Sequence, residues 1–517
     1  MPVILPSVVR FAGTLLIAWQ LLASPPGYAQ TPYDTAVVNR LVSAVADFQQ
    51  SPTARHGTVA LSVRRVRDGE ALVSYNAQQS LASASTLKLI TTATALAVLG
   101  PSFTYTTSLE YDGTIRDSIL TGNLYIRGSG DPSLGSWRYG DSYEASSLLQ
   151  TWSDAIRGAG IRQIQGAIVA DASLYDQLPV PDTWPWGDLG NYYGTGLSAL
   201  NFNENLYRVV FRPGKTPGAA ATMVRTEPPL PYLTLSNRVT TDAPRTGDQV
   251  TIYSAPFGNQ VWLEGKVPAG VNEFGVKGAL PDPAYQAAFA LTQQIQADSI
   301  VVTNPPSVFR ARTALPMPEG KRTLLLQHKS PPLPEIVRQT NFQSINLYAE
   351  ALLHTTARTL DPKVTTTQAA IEAVTTYWRS KNINLDGFRI KDGSGLSTVG
   401  ALTADNMTSI LSAAGKEKYF PQFLETIPVV GESGTVRTLA RRTEAAGNIR
   451  AKSGSIEGVR AYAGYFTATD GELMTFSLMV NRFTPGTNRA VTSQIERILS
   501  LLVTLPGHTE PAAADTK

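Results

Sequence analysis

An α/β chain of the α+β kind is predicted: one antiparallel sheet assembled from both ends of the sequence, covered by helices, with a strand-rich region inserted between its halves. Three observations carry the prediction. Hairpin patterns stand near each end, helical patterns dominate from about 334 to 445, and residues 101–280 break into short β-like runs rich in Gly and Pro. At 517 residues the chain exceeds what one core supports, so two or three are expected.

Taken in order, residues 1–29 read as a signal peptide: Arg10, an apolar run from Phe11 to Leu22, then small residues at Gly27 and Ala29, with cleavage expected after Ala29. The segment "GTVALSVRRVRDGEALVSYN" alternates on either side of Asp68-Gly69, a turn-forming pair, and predicts a hairpin. A helix starts near Ser85 in "LASASTLKLITTATALAVLG" and stops at Gly100-Pro101. Residues 101–280 form the expected insertion, of one or two subdomains. Its aromatic cluster "DTWPWGDLGNYYGTG" holds Trp184, Trp186, Tyr192 and Tyr193, read as core filling in preference to a sugar-binding platform. Helical periodicity resumes at "DPAYQAAFALTQQIQA", so 281–505 is assigned with 30–100 to one discontinuous domain. A second hairpin turns at Asp470-Gly471, the amphipathic "TSQIERILSLLVTL" follows, and 506–517 is expected to be a disordered tail.

Composition excludes several classes of function. A net charge of +3 without dense Lys/Arg runs leaves no footprint for nucleic acid. The chain has no cysteine, hence no disulfide, thiol nucleophile or thiolate-bound metal. Its four histidines form no HExxH pair, and no GxSxG elbow marks a serine, so neither a metal nor a cofactor is expected. The leader's apolar run is short for a span and no later stretch approaches 18 uninterrupted apolar residues, which predicts an exported, soluble mature protein with no integral membrane span.

Lys88 poses the first chemical question. A helix start carries positive partial charge, so a lysine in the first turn needs either solvent or a function. Positions i and i+3 share a helix face, which places Lys88 within reach of the Ser85 hydroxyl. Two further motifs follow: Ser344-Ile345-Asn346 at the start of a helical pattern, and Lys452-Ser453-Gly454 where a strand should begin. Ser-x-Asn occurs also at Ser74-Tyr75-Asn76, but ahead of the helix; SxxK and K-[ST]-G occur once each.

The ordered set SxxK, SxN, K-[ST]-G resembles the signature of penicillin-recognising serine enzymes. Ser85 and Ser344 lie 259 residues apart, too far for a β-lactamase-like layout. With "LYIRGSGDPSL", "WPWGDLGNYYG", "HKSPPLPEIVRQTNFQSINLYAEALL", "KDGSGLS" and "AKSGSIEGVRAYAGY", the chain resembles the penicillin-binding protein 4 type of D-alanyl-D-alanine carboxypeptidase/endopeptidase, peptidase family S13. It departs in small ways: Ile345 stands where a polar residue is commoner, and Ser453 replaces threonine.

The resemblance implies a transpeptidase/β-lactamase-like domain. It also implies an acyl-enzyme on Ser85 with Lys88 as base, a proton relay through Ser344, an acyl-side amide held by Asn346, and a terminal carboxylate held by Lys452, Ser453 and Ser455, with Gly454 in the same motif. Peptidoglycan stem peptides are the implied substrate and β-lactams the implied covalent inhibitors. Burial, the helix start and the second cation Lys452 are expected to depress Lys88's pKa. Asp171 and Tyr175, in "VADASLYD", are candidates to meet a free amino group on the substrate, whereas Asp392 and Ser394 read as a turn shaping the cleft edge. The alternatives are a β-lactamase-like hydrolase and a non-catalytic cell-wall scaffold of the same fold.

Overall fold

The computed structural model describes residues 35–176, 178–311 and 321–507. The expected signal peptide and nearly all of the expected tail lie outside these residues.

Both ends of the chain build one five-stranded sheet, in the order Ala71–Tyr75, Thr58–Arg65, Leu473–Asn481, Val459–Thr467, Ile449–Ile456, every pair antiparallel. Gly69 and Gly471, each at positive φ, make the two predicted turns. The central strands are buried on both faces, which explains their nearly continuous apolar sequence. Helices Thr35–Gln50 and Asn488–Leu502 bury one face in a core that includes Val45, Phe476 and Ile495. Leu87–Leu99 and Ala404–Ala414 lie in the core of the other face with Met407 and Met479. The Leu87–Leu99 helix is buried nearly all round, as its unbroken apolar and threonine sequence requires, and Gly100 at φ 79° ends it. No helix among the described residues is long and apolar enough to cross a membrane.

The inserted region holds a sheet ordered Ser307–Phe309, Ile168–Asp171, Leu124–Arg127, Thr106–Tyr111, Thr323–Lys329. A smaller sheet and two three-stranded sheets accompany it, the latter pair enclosing their own core around Val209, Phe211, Ile252 and Leu263. The return to the first domain expected at residue 281 is corrected here. Helix Pro283–Ala297 and the strands at 301–302, 307–309 and 323–329 belong to the insertion, because those strands pair with its own. Secondary-structure type alone misassigned a helix whose apolar face covers an inserted sheet. The returning strand pairs with the departing one, Lys329 opposite Thr106, so the insertion leaves and re-enters the host domain at adjacent points.

Candidate active site

Ser85 sits in a single 3₁₀ turn, Ala84–Thr86, that runs into the Leu87–Leu99 helix. Ala84 adopts a φ of 44°, a conformation disfavoured for a residue with a side chain. Two glycines hold this turn. A Cβ on Gly454 would stand 2.6 Å from the Ser83 carbonyl and 3.0 Å from the Ser85 nitrogen, and one on Gly395 would collide with the Ala84 carbonyl. The KSG strand and the DGSG loop therefore press on the serine from two sides, and only glycine allows that approach.

Lys88 is fully buried. Its Nζ donates to Ser85 Oγ at 2.9 Å, Asn346 Oδ1 at 2.6 Å and the Ser394 carbonyl at 2.8 Å. Desolvation brings its pKa down to about 7, while the carboxylates of Asp392 and Glu350 act in the opposite direction. Of the causes expected from sequence, burial acts; the influence of Lys452 is felt in the reverse sense, Lys88 helping to hold Lys452 down.

Ser344 is the left-handed residue, φ 60°, between helices Leu333–Gln343 and Asn346–Leu360. Its hydroxyl caps neither helix and instead accepts from Lys452 Nζ at 3.0 Å. Lys452, also fully buried, donates to the Ser453 carbonyl at 2.7 Å, and burial and then Lys88 push its pKa well below the usual range. Asn346 begins its helix and donates through Nδ2 to the Tyr193 carbonyl at 2.7 Å, so one amide joins Lys88 to the insertion. Ser453 Oγ lies 2.7 Å from Thr435 Oγ1.

Ser85, Ser344, Asn346 and Ser455 face one cleft of about 650 Å³, whose lining also includes Asp188, Tyr193, Thr435 and Glu457. Asp171 and Tyr175 are not among its lining residues. Asp171 is buried in an ion pair with Arg322 at 2.6 Å and accepts from the Ser173 hydroxyl, and Tyr175 packs its ring against His354. Asp171's charge is thus already paired with Arg322, and neither residue lines the cleft that Ser85 faces, so their placement does not support the expectation that they meet a substrate amino group.

Three residues beneath the cleft carry no chemical role in the sequence reading, which places Asp392 and Ser394 in a turn at the cleft edge and does not single out Glu350. Asp392 accepts from the Gly395 and Ser397 amides at 2.8 and 2.7 Å, and from Trp184 Nε1 at 2.8 Å, which ties the insertion to the loop under Lys88. Glu350 accepts from the Gly393 amide, and its pKa is raised to about 8 by burial and then by Asp392. Ser394 offers Lys88 a backbone carbonyl, which no side-chain motif could reveal. Among the aromatics, Trp184 is buried as expected, but Trp186, Tyr192 and Tyr193 are exposed, which corrects the core-filling assignment for those three.

The profile of the D-Ala-D-Ala carboxypeptidase 3 (S13) family matches residues 41–502. The chain belongs to this family. It is a serine-type DD-peptidase acting on peptidoglycan D-Ala termini. It is similar to D-alanyl-D-alanine carboxypeptidase DacB of Haemophilus influenzae, 27% identical over 454 residues that cover 85% of this chain and 90% of the relative. The D-alanyl-D-alanine carboxypeptidase of Actinomadura sp. is 25% identical over 508 residues, covering 96% and 90%. Among solved structures, penicillin binding protein 4 (dacB) of H. influenzae superimposes with a TM-score of 0.76 at 24% identity, over 89% of this S13 chain and 99% of that one. The transpeptidase/β-lactamase-like fold with a strand-rich insertion follows from that match.

Proposed function

We propose that Ser85 is the nucleophile and Lys88 its base in a periplasmic DD-carboxypeptidase and endopeptidase. The observation that carries this is the 2.9 Å contact between Lys88 Nζ and Ser85 Oγ, made by a lysine whose pKa is brought down to about 7. At neutral pH a large fraction of such a lysine is the free amine, the form that accepts a proton. Ser85 Oγ attacks the penultimate D-alanine carbonyl as its proton passes to Lys88. The oxyanion is met by the backbone N–H groups of Ser85 and Ser455, which the close approach of Gly454 brings together. Ser344 passes a proton to the departing amine, Asn346 binds the acyl-side amide, and Lys452, Ser453 and Ser455 hold the terminal carboxylate. Water then hydrolyses the ester.

The H. influenzae protein has been solved in complex with a β-lactam, and we infer that β-lactams acylate Ser85 here. The carboxylates lining the cleft are Asp188 and Glu457, so a free ammonium on the third stem residue meets Asp188 in place of Asp171. Asp188→Asn should erase discrimination between free-amine and acylated-amine peptides; retained discrimination would remove Asp188 from that role.

The deciding experiment is mass spectrometry of the purified protein after benzylpenicillin, paired with D-alanine release from a D-Ala-D-Ala pentapeptide. A penicilloyl adduct on the Ser85 peptide, absent in a folded Ser85→Ala variant, together with D-alanine release, is expected. Adduct and release both missing from folded protein would leave the scaffold reading in its place.

A further inference from the structure

Strands Gln249–Ser254 and Gln260–Pro268 bury Ile252, Val261 and Leu263 completely on their inner face. That face meets the sheet's need for a core. The outer face nevertheless carries large aromatic rings. Tyr253 and Trp262 stand opposite each other in the antiparallel register, so their side chains leave the same face of the sheet side by side. Trp186, from the loop that supplies Pro185 to the catalytic cleft, stacks on Tyr253 with ring centroids 6.2 Å apart and planes 27° from parallel. Trp186 is 49% exposed, Trp262 43% and the cleft-lining Tyr192 54%.

Exposed rings in file are costly in water, and a contiguous patch of them marks a binding surface. Alternating with these rings along the strands are Thr251, Gln260 and Glu264, polar groups suited to hydroxyl and acetamido partners. Flat apolar faces edged by such groups suit pyranose rings, whose faces carry C–H and whose rims carry polar atoms. Trp186 directly follows the cleft-lining Pro185 in the chain, so the file of rings starts beside the cleft wall.

We propose that Trp186, Tyr253 and Trp262 form a ridge that binds the glycan strand of peptidoglycan while the attached stem peptide enters the cleft. The identity of the polymer rests on the peptidase function proposed above. The ridge gives the enzyme a hold on polymeric substrate that a soluble peptide cannot use.

The test is binding of the purified protein to glycan strands stripped of their stem peptides by an amidase. Wild type should bind, Trp262→Ala should bind at least about tenfold more weakly, and Trp262→Phe should keep most of the affinity, with turnover of a soluble pentapeptide equal in all three. No binding by wild type, or equal binding by Trp262→Ala, overturns the proposal. A change of oligomeric state in Trp262→Ala with no glycan binding by wild type overturns it in favour of a second copy of the chain. The two readings fail separately: missing penicillin labelling counts against the peptidase, missing strand binding against the ridge.

Discussion

Lys88 and Lys452 are both fully buried and both donate to a serine hydroxyl, but their company differs. Beneath Lys88 lie two carboxylates, Asp392 and Glu350, whose field offsets part of the desolvation and leaves the amine near neutrality. The charge acting on Lys452 is another cation, Lys88, and its pKa falls well below the usual range. Burial alone makes either lysine a reluctant cation; nearby charge decides when it titrates. In the mechanism proposed above, the floor of the cleft thus holds a base poised by the protein, and the strand wall holds an anchor that would take on charge when a carboxylate arrives. An anion beside Lys452 raises its pKa, so substrate binding and protonation are linked there.

The same substitution at the two sites should therefore give opposite results. Lys88→Arg keeps a cation but removes the titrating amine, and acylation by penicillin should fall ~10²–10⁴-fold, the usual contribution of a general base. Lys452→Arg keeps what an anchor needs and should cost about tenfold or less, mainly in KM. Stopped-flow acylation with steady-state kinetics on both variants checks this. Equal losses would dissolve the distinction between base and anchor.

A smaller effect sharpens it. If Lys88 is the base, kcat/KM rises with pH as the lysine loses its proton, with the limb centred at about 7. Asp392 raises the Lys88 pKa, so Asp392→Asn should move that limb to lower pH. Asp392 also holds Glu350 in its raised range, so its loss lets Glu350 ionise more readily and restores part of the field. The net movement is a fraction of what one full charge would give. A shift to higher pH in the acylation profile would contradict this electrostatic account.

What was legible in the sequence follows the same division. Ser85 with Lys88, Ser344 with Asn346, and Lys452 with its two successors each lie within one helical turn or one strand, where spacing alone predicts shared placement. The two hairpins are local in the same way, and their apolar patterns implied a joint sheet. Glu350 and Asp392 come under Lys88 through packing between distant segments, and a carboxylate in a helix or a Gly-rich loop carries no mark of its eventual neighbour. Asp171 reads from sequence as an available charge in the insertion, and only the fold shows that Arg322 pairs with it. The helix Pro283–Ala297 shows clear periodicity, and periodicity reveals an apolar face without naming the sheet it covers.

Trp184 offers the subtlest break in the comparison, because it reaches the floor of the cleft from the insertion. Its indole donates to Asp392 at 2.8 Å, one of three close donors to that carboxylate along with the Gly395 and Ser397 amides. Trp184→Phe keeps most of the ring and deletes the donor, a loss of about 1.5–3 kcal/mol for a hydrogen bond to a charged group. The two backbone donors to Asp392 remain in this variant, and the substitution removes no charge from beneath Lys88. The acid limb should then stay where it is, while kcat falls a few-fold with KM little changed, because the loop carrying the Ser394 carbonyl has lost one of its ties. A limb that moves with Trp184→Phe would mean that the indole tunes the charge of the site; an unmoved limb with lowered kcat would mean that the insertion positions the base.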